Sequence, residues 1–183
     1  LGASGGVGLA AVELGKLMGA KVIAAASSDE KLDFVNALKP DALLNYGDGE
    51  LKEKVKELTN GNGADVIYDP VGGDLFDQSC RCIAWNGRLL VIGFASGRIP
   101  EHKANLALLK GSSMVGVFLG RFRKEEPEEY EKNFTELLSM YDDGSLKPII
   151  TESFAMSDYV DAFNVFTERR VMGKVTLEMK AEN

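Results

Sequence analysis

Residues 1–8 have the sequence LGASGGVG, a glycine-rich run inside which an apolar helical pattern begins. From Val7 the apolar residues recur at helical spacing as far as Met18, and Gly19 follows at the position where glycine often ends a helix. A helix that starts in such a run presents unpaired backbone N–H groups and the positive end of its dipole, which together bind phosphate groups. The run therefore predicts a dinucleotide-binding turn formed by Ala3, Gly5, Gly6, Val7 and Gly8.

The spacing of these glycines is that of a dinucleotide-binding fingerprint. Ala3, Gly5 and Gly8 match the pattern G-x-G-x-x-G with alanine in the first place. Gly5 is expected to let the backbone approach the phosphates, and Gly8 to let the helix pack closely on the neighbouring strand. A glycine triple alone is weak evidence, and a glycine-rich turn without a ligand is the alternative. The strands and helices that follow favour the binding turn.

Strands and helices alternate through residues 1–147. Short apolar runs bounded by turn residues predict strands at residues 21–26, 42–45, 65–69, 88–94 and 113–119. Amphipathic patterns predict helices between them, with Ile83 on the helix before the fourth strand, and a long apolar stripe runs from Tyr130 to Tyr141. This alternation predicts an α/β fold with a doubly wound parallel sheet of the Rossmann type.

The character of the chain changes after Pro148. Residues 149–154 are strand-like, the next apolar residues have helical spacing, and residues 175–179 alternate as a strand does. We expect this strand–helix–strand tail to have no crossover partner and therefore to belong to another lobe. The expected organisation is therefore a dinucleotide-binding domain in residues 1–147 and part of a catalytic lobe in residues 148–183.

The strand that should precede the glycine-rich turn is absent from the 183 residues. In the strand order 3-2-1-4-5-6 this first strand lies at the centre of the sheet. We therefore expect the biological protein to be longer than the sequence given.

Composition limits the classes of partner and compartment. Acidic residues outnumber basic ones 28 to 21, and the net charge of −7 disfavours nucleic acid. No apolar run approaches the roughly 20 residues that span a bilayer, so no membrane partner is expected. Cys80 and Cys82 match neither a disulfide framework nor a zinc spacing, and we expect buried, unreactive thiols. A reducing compartment is expected, namely the cytoplasm, with the mitochondrion as the alternative.

The end of the second strand predicts which nicotinamide cofactor binds. An NAD-specific site has an acidic residue there, whereas this chain has Ala26, Ser27 and Ser28. Small hydroxyl residues leave room for a 2′-phosphate, and Lys31 follows within reach of it. We expect Asp29 to point outward. The sequence therefore favours NADPH, although Ser27 with Glu30 also matches a capping box and either serine could simply cap the helix.

Six motifs in one order resemble a known family. They are residues 2–8 (GASGGVG), 26–31 (ASSDEK), 45–46 (NY), 69–73 (DPVGG), 87–93 (GRLLVIG) and 173–175 (GKV). Each motif is modest by itself. In this order they resemble the quinone oxidoreductase (zeta-crystallin) branch of the medium-chain dehydrogenases/reductases, over the full length of the chain.

The resemblance implies a set of cofactor-binding residues. Lys31 and Tyr46 would hold the 2′-phosphate together with Arg169, with Arg170 as the alternative because the register is uncertain by one residue. On the residues alone, without this resemblance, Lys31 could equally be a solvated lysine on a helix and Tyr46 an aromatic residue at the end of a strand. The remaining implied contacts are Ser27 and Ser28 near the phosphate, Lys174 in the terminal motif, Val71, Ile92 and Phe94 beside the ribose and the adenine side, and Phe118, Leu119 and Gly120 at the nicotinamide carboxamide.

The resemblance also implies an activity and an assembly. The reaction would transfer a hydride from the nicotinamide to a quinone or to an enone, an α,β-unsaturated carbonyl compound. The branch lacks zinc, and we expect His102 to be a surface residue and no residue here to be a metal ligand. A homodimer is expected to form through the edge strand at residues 114–119.

No catalytic residue can be assigned from this sequence, because substrate choice would lie in an amino-terminal lobe. The isolated chain is expected to bind cofactor without turnover. A non-catalytic NADPH-binding module, acting as a sensor, scaffold or crystallin, is the first alternative. A methyltransferase is the second, and the absence of an acidic residue at Ala26 and Ser27 disfavours it.

Overall fold

The computed structural model describes residues 1–179 as parallel strands that alternate with helices. The strands are β1 (Ile23–Ala26), β2 (Ala42–Asn45), β3 (Ala64–Asp69), β4 (Ile83–Val91), β5 (Ser113–Gly116), β6 (Ile150–Ala155) and β7 (Lys174–Glu178). The helices are α1 (Gly6–Leu17), α2 (Asp29–Val35), α3 (Leu51–Leu58), α4 (Gly73–Cys82), α5 (Ala104–Lys110), α6 (Leu119–Glu125), α7 (Pro127–Asp142) and α8 (Tyr159–Thr167). The predicted α/β fold with parallel sheets is confirmed.

The first five strands form two parallel pieces. β1 pairs with β2, and β4 pairs with β3 on one side and β5 on the other. Asp69, Val91 and Gly116 are in register at the carboxyl ends of β3, β4 and β5. Because parallel strands end at one edge of a sheet, the loops that follow these residues meet at the same edge.

Residues 1–3 lie between the two pieces. The Leu1 nitrogen donates to the Tyr68 carbonyl of β3 at 2.8 Å, and the Ala3 N–H donates to the Ala25 carbonyl of β1 at 3.0 Å. The glycine-rich turn therefore starts between β1 and β3, where the strand order of a doubly wound sheet reverses and ligands bind.

Two clusters of buried side chains form the core. One lies around β2, β3 and β4 and includes Leu44, Phe76 and Ile83, and the other packs α1 and α2 on β1 through Val12 and Val35. Cys80 and Cys82 are buried, as predicted, and burial raises the pKa of each thiol to about 11. The thiols are therefore uncharged at neutral pH and act as small apolar side chains.

The tail forms a strand–helix–strand unit of its own. β6 and β7 pair in parallel, and α8 connects them as the crossover helix. The expectation that this segment lacks a crossover partner is therefore wrong, because its two strands are partners of each other. The Gly173 N–H donates to the Ser4 carbonyl at 2.7 Å, which joins the unit to the glycine-rich turn. The division after residue 147 stays a prediction, and residues 180–183 lie outside the described part.

Several expected element boundaries are wrong, among them the following four. Ile83 begins β4 rather than lying on the helix. A single buried apolar residue is compatible with helical and with strand periodicity, and here the pairing of Ile83 with Ala64 places it in the strand. Phe94 lies beyond the strand predicted to contain it, and Leu119 begins α6 instead of ending β5. Ser28, not Ser27, caps α2, since its hydroxyl accepts from the Lys31 N–H at 3.4 Å.

Candidate cofactor-binding site

The glycine-rich turn leaves two backbone donors unpaired. The first hydrogen bond of α1 runs from the Leu9 N–H to the Gly5 carbonyl at 2.8 Å, and Gly5 caps the helix without a side chain. The Gly6 N–H faces the Gly173 carbonyl in a parallel β-bridge, whereas within residues 1–179 the N–H groups of Val7 and Gly8 have no acceptor. These donors and the helix dipole form a positive site suited to a pyrophosphate.

Gly5 and Gly8 are glycines for different reasons. A Cβ on Gly8 would lie 2.7 Å from the Gly2 carbonyl carbon and 2.9 Å from the Ala3 Cα, which is too close for any side chain. A Cβ on Gly5 would lie 3.6 Å from the Gly2 oxygen, an ordinary contact. Packing within the chain therefore requires glycine at position 8 but not at position 5. This difference agrees with the expected role of Gly5 toward a ligand.

The residues expected beside the ribose and nicotinamide come together at the carboxyl edge of the sheet. Val71 lies against the turn, 3.2 Å from where a Cβ of Gly2 would be. Ile92 donates its N–H to the Asp69 carbonyl at 3.0 Å, and Phe94 contacts the loop at Gly72. Phe118, Leu119 and Gly120 follow β5 at this edge and are exposed.

Asp69 is a site residue that sequence reasoning missed. Its side chain is 2% exposed, and its Oδ1 accepts from the N–H groups of Val71 at 2.8 Å and Gly72 at 2.9 Å. The carboxylate thereby fixes the loop in which Gly72 and Gly73 both have positive φ. An acidic residue that ends an apolar strand directly before a glycine-containing loop was the available sequence indication.

Ser27, Lys31 and Arg169 converge although Arg169 is 138 residues from Lys31 in sequence. The Lys31 ammonium lies 3.4 Å from the Ser27 hydroxyl and 3.3 Å from the Arg169 carbonyl oxygen. Ser28 caps the same helix turn. We call Ser27, Lys31 and Arg169 the phosphate pocket, because a hydroxyl and an ammonium suit a phosphate dianion and the backbone of Arg169 lies beside them.

Arg169 and Arg170 have different environments. Arg170 forms a salt bridge with Glu168, with 2.6 Å between Nε and Oε2, and this carboxylate raises the pKa of the guanidinium. Arg169 has a left-handed backbone conformation, with φ at 57°, and takes part in none of the salt bridges within residues 1–179. This geometry favours Arg169 over Arg170 in the register that the sequence left open.

Lys174 and Tyr46 lie at the glycine-rich turn. The Lys174 side chain passes 3.0 Å from the position of a Cβ on Gly6. The Tyr46 side chain is partly buried, and burial raises the pKa of its hydroxyl. Within the described residues no hydrogen bond joins Tyr46 to Lys31, so its expected contact with the 2′-phosphate stays a prediction.

The described residues do not fit a zinc site. His102 is partly buried rather than on the surface as expected, since it packs edge-on against Phe76 and lies 3.6 Å from the Cys80 sulfur. Zinc sites use three or four protein ligands, and residues 1–179 contain no group of three or more such side chains that could hold a metal.

Comparison with known proteins relates this geometry to enzymes. A family model described as zinc-binding dehydrogenase matches residues 6–139. The chain is 42% identical to a quinone oxidoreductase-like protein 2 homolog from Nematostella vectensis, over 97% of the chain and 49% of that protein. Among solved structures, a quinone oxidoreductase from Pseudomonas syringae pv. tomato DC3000 has a TM-score of 0.86 at 30% identity, covering 97% of this chain and 55% of that one. The quinone oxidoreductase of Escherichia coli, solved in complex with NADPH, has a TM-score of 0.87 at 26% identity, with the same coverage of 97% and 55%.

These relatives confirm the resemblance that the six motifs indicated. They are oxidoreductases with a nucleotide-binding domain of the same fold. The chain spans about half the length of the curated relatives it matches.

Proposed function

Because the chain belongs to the zinc-binding dehydrogenase family, we propose that it is the NADPH-binding portion of a quinone or enone reductase. The observation that carries this proposal is the phosphate pocket. The pocket follows the end of β1, and the unpaired N–H groups lie at the start of α1. The distance in sequence between these two features is that at which a dinucleotide-binding fold holds the pyrophosphate and the ribose.

The chain would hold NADPH by two phosphate groups, the pyrophosphate that joins its two nucleosides and the 2′-phosphate on the adenosine ribose. The N–H groups at the start of α1 would bind the pyrophosphate, and Ser27, Lys31 and Arg169 would bind the 2′-phosphate. β1 ends in the buried Ala26 followed by Ser27, so no carboxylate occupies the position that binds a ribose 2′-hydroxyl in NAD-specific sites. The E. coli relative was solved with NADPH, which supports this choice.

The proposed reaction transfers a hydride, which NADPH supplies when bound, to a quinone or to the β-carbon of an enone. Phe118, Leu119 and Gly120 would contact the nicotinamide carboxamide, and Val71, Ile92 and Phe94 would exclude water beside the ribose. No catalytic residue is assigned to this chain. We propose that the isolated chain binds NADPH without turnover, and that substrate selection belongs to other parts of the whole protein.

Titration with NADPH and NADH tests the proposal. Nicotinamide fluorescence or calorimetry should give a dissociation constant for NADPH at least about tenfold below that for NADH, since only NADPH carries the 2′-phosphate. Equal binding of both cofactors would contradict the assigned pocket, and binding of neither would contradict the proposed function. In the whole protein, oxidation of NADPH when a quinone is added would separate a reductase from a module that only binds the cofactor.

We also propose a homodimer formed through β5. This strand pairs with β4 on one side, has no partner strand on the other within residues 1–179, and exposes Met114 by 50%. An apolar edge strand favours pairing with a second copy. Replacing Met114 by lysine should raise the dimer dissociation constant by roughly tenfold or more, because buried like charges would face each other.

Light scattering coupled to size-exclusion chromatography measures this change. Met18→Lys is the matched control, because Met18 is 80% exposed at the end of α1 and lies away from β5. A dimer that persists unchanged in Met114→Lys would contradict the interface.

The proposed location is the cytoplasm, with the mitochondrion as the alternative. Among residues 1–179, no helix has both the length and the apolar character needed to cross a bilayer.

A further inference from the structure

Asp29, which lies between Ser27 and Lys31 in sequence, is held by a neighbouring amide. The Asn45 side-chain nitrogen donates to Asp29 Oδ1 at 2.7 Å. The Asn45 side-chain oxygen accepts from the Gly47 N–H at 2.8 Å, which sets the orientation of the amide so that its nitrogen faces Asp29. Asp29 is the first residue of α2, and Asn45 is the last residue of β2.

This arrangement adjoins the pocket directly. A Cβ on Gly47 would lie 3.0 Å from the Asn45 side-chain oxygen and 2.6 Å from the Ser27 carbonyl oxygen, too close for any side chain. The turn after β2 therefore packs on the backbone of Ser27, and glycine at position 47 permits this approach. Asn45 reaches Asp29 from the side of β2, while the pocket is formed by Ser27 and the tail.

Asp29 does not neutralise the lysine beside it. It lies between Ser27 and Lys31 in sequence, yet none of the salt bridges within residues 1–179 joins it to Lys31. The Lys31 ammonium instead contacts the Ser27 hydroxyl and the Arg169 carbonyl oxygen. A carboxylate that is anchored elsewhere leaves the lysine available for an incoming phosphate.

We propose that Asn45 determines cofactor specificity by holding the Asp29 carboxylate on the β2 side of α2, outside the phosphate pocket. The inference rests on the proposed NADPH function and concerns the selectivity of the same site. Released from Asn45, Asp29 would repel the 2′-phosphate of NADPH and would accept a hydrogen bond from the 2′-hydroxyl of NADH. Asn45 acts through Asp29 and is therefore a positioning residue.

The test is the ratio of the NADH and NADPH dissociation constants, measured by nicotinamide fluorescence in the parent chain and its variants. Asn45→Ala should lower this ratio on the order of fivefold, because a freed charge acts on the phosphate dianion across solvent. Asn45→Asp retains an acceptor for the Gly47 N–H but repels Asp29, and it should lower the ratio at least as much.

A second pair of variants isolates the role of Asp29. In Asp29→Asn, which has no carboxylate to restrain, adding Asn45→Ala should leave the ratio unchanged. If Asn45→Ala lowers the ratio equally with and without Asp29, or leaves it unchanged in the parent, the inference is wrong while the proposed function stands. A parent chain that binds no NADPH would overturn the proposed function and this inference with it.

Discussion

Gly8→Ala is expected to destabilise the chain by about 3 kcal/mol or more, because overpacking of this severity cannot be relieved by a rotamer change. The added Cβ would lie 2.7 Å from the Gly2 carbonyl carbon and 2.9 Å from the Ala3 Cα. Both contacts are backbone, and hydrogen bonds from Leu1 and Ala3 tie that backbone to β3 and β1. Urea denaturation followed by circular dichroism measures the loss.

Gly5→Ala is the matched control for this prediction. Its Cβ would meet only the Gly2 carbonyl oxygen, at 3.6 Å, and its φ of −77° suits alanine. We expect a loss of stability of no more than about 1 kcal/mol, which is the usual preference for glycine over alanine at an N-cap. NADPH binding should nevertheless weaken at least roughly tenfold, because the methyl group would stand where a phosphate approaches the backbone. Equal destabilisation by both substitutions would contradict the separate roles of the two glycines.

Lys31→Ala is expected to raise the NADPH dissociation constant by about 10- to 100-fold, since a hydrogen bond to a charged group contributes about 1.5–3 kcal/mol. The dissociation constant for NADH should stay within about twofold, because NADH lacks the 2′-phosphate. The reason lies in the position of the ammonium, which is 3.4 Å from the Ser27 hydroxyl, so that a phosphate bound there would meet both donors. Fluorescence titration with each cofactor gives both values.

Lys21→Ala provides the control for charge. Lys21 is exposed before β1, at the opposite end of that strand from the pocket, and its removal changes the net charge by the same amount. NADPH binding should be nearly unaffected by this control. A comparable loss in Lys21→Ala would mean that overall charge explains the effect, and an equal loss of NADH binding in Lys31→Ala would place Lys31 elsewhere on the cofactor.

The sequence predicted the parallel fold, and it placed Ser27 and Lys31 together after β1, because local patterns carry these features. Strand β2 and helix α3 have the extents that their apolar runs and turn residues indicate, and Ser27 with Lys31 follows β1 as the fingerprint requires. These features depend on residues close together in the chain. Hydrophobic period and turn chemistry therefore sufficed to predict them.

Features that depend on pairing between distant segments could not be predicted. Ile83 is a strand residue because it pairs with Ala64, and the tail strands are partners because α8 brings them together. The preference for Arg169 over Arg170 depends on the salt bridge between Arg170 and Glu168 and on the left-handed backbone of Arg169. Neither feature appears in the hydrophobic periodicity of the sequence. The Asp69 carboxylate accepts a hydrogen bond from the backbone of its loop, and the Asn45 amide donates one to Asp29. Sequence spacing does not predict side-chain hydrogen bonds of this kind.

The junction of the tail with the glycine-rich turn has a consequence for folding kinetics. Gly173 bonds to Ser4, and Lys31 meets Arg169 across 138 residues, so both contacts close long loops. Closing such loops is entropically costly and slow, whereas the pairing of β1 with β2 is local. During synthesis the first strands and helices would emerge from the ribosome and fold well before the tail is made. Cofactor affinity should therefore appear as one of the last events of folding, after most secondary structure has formed.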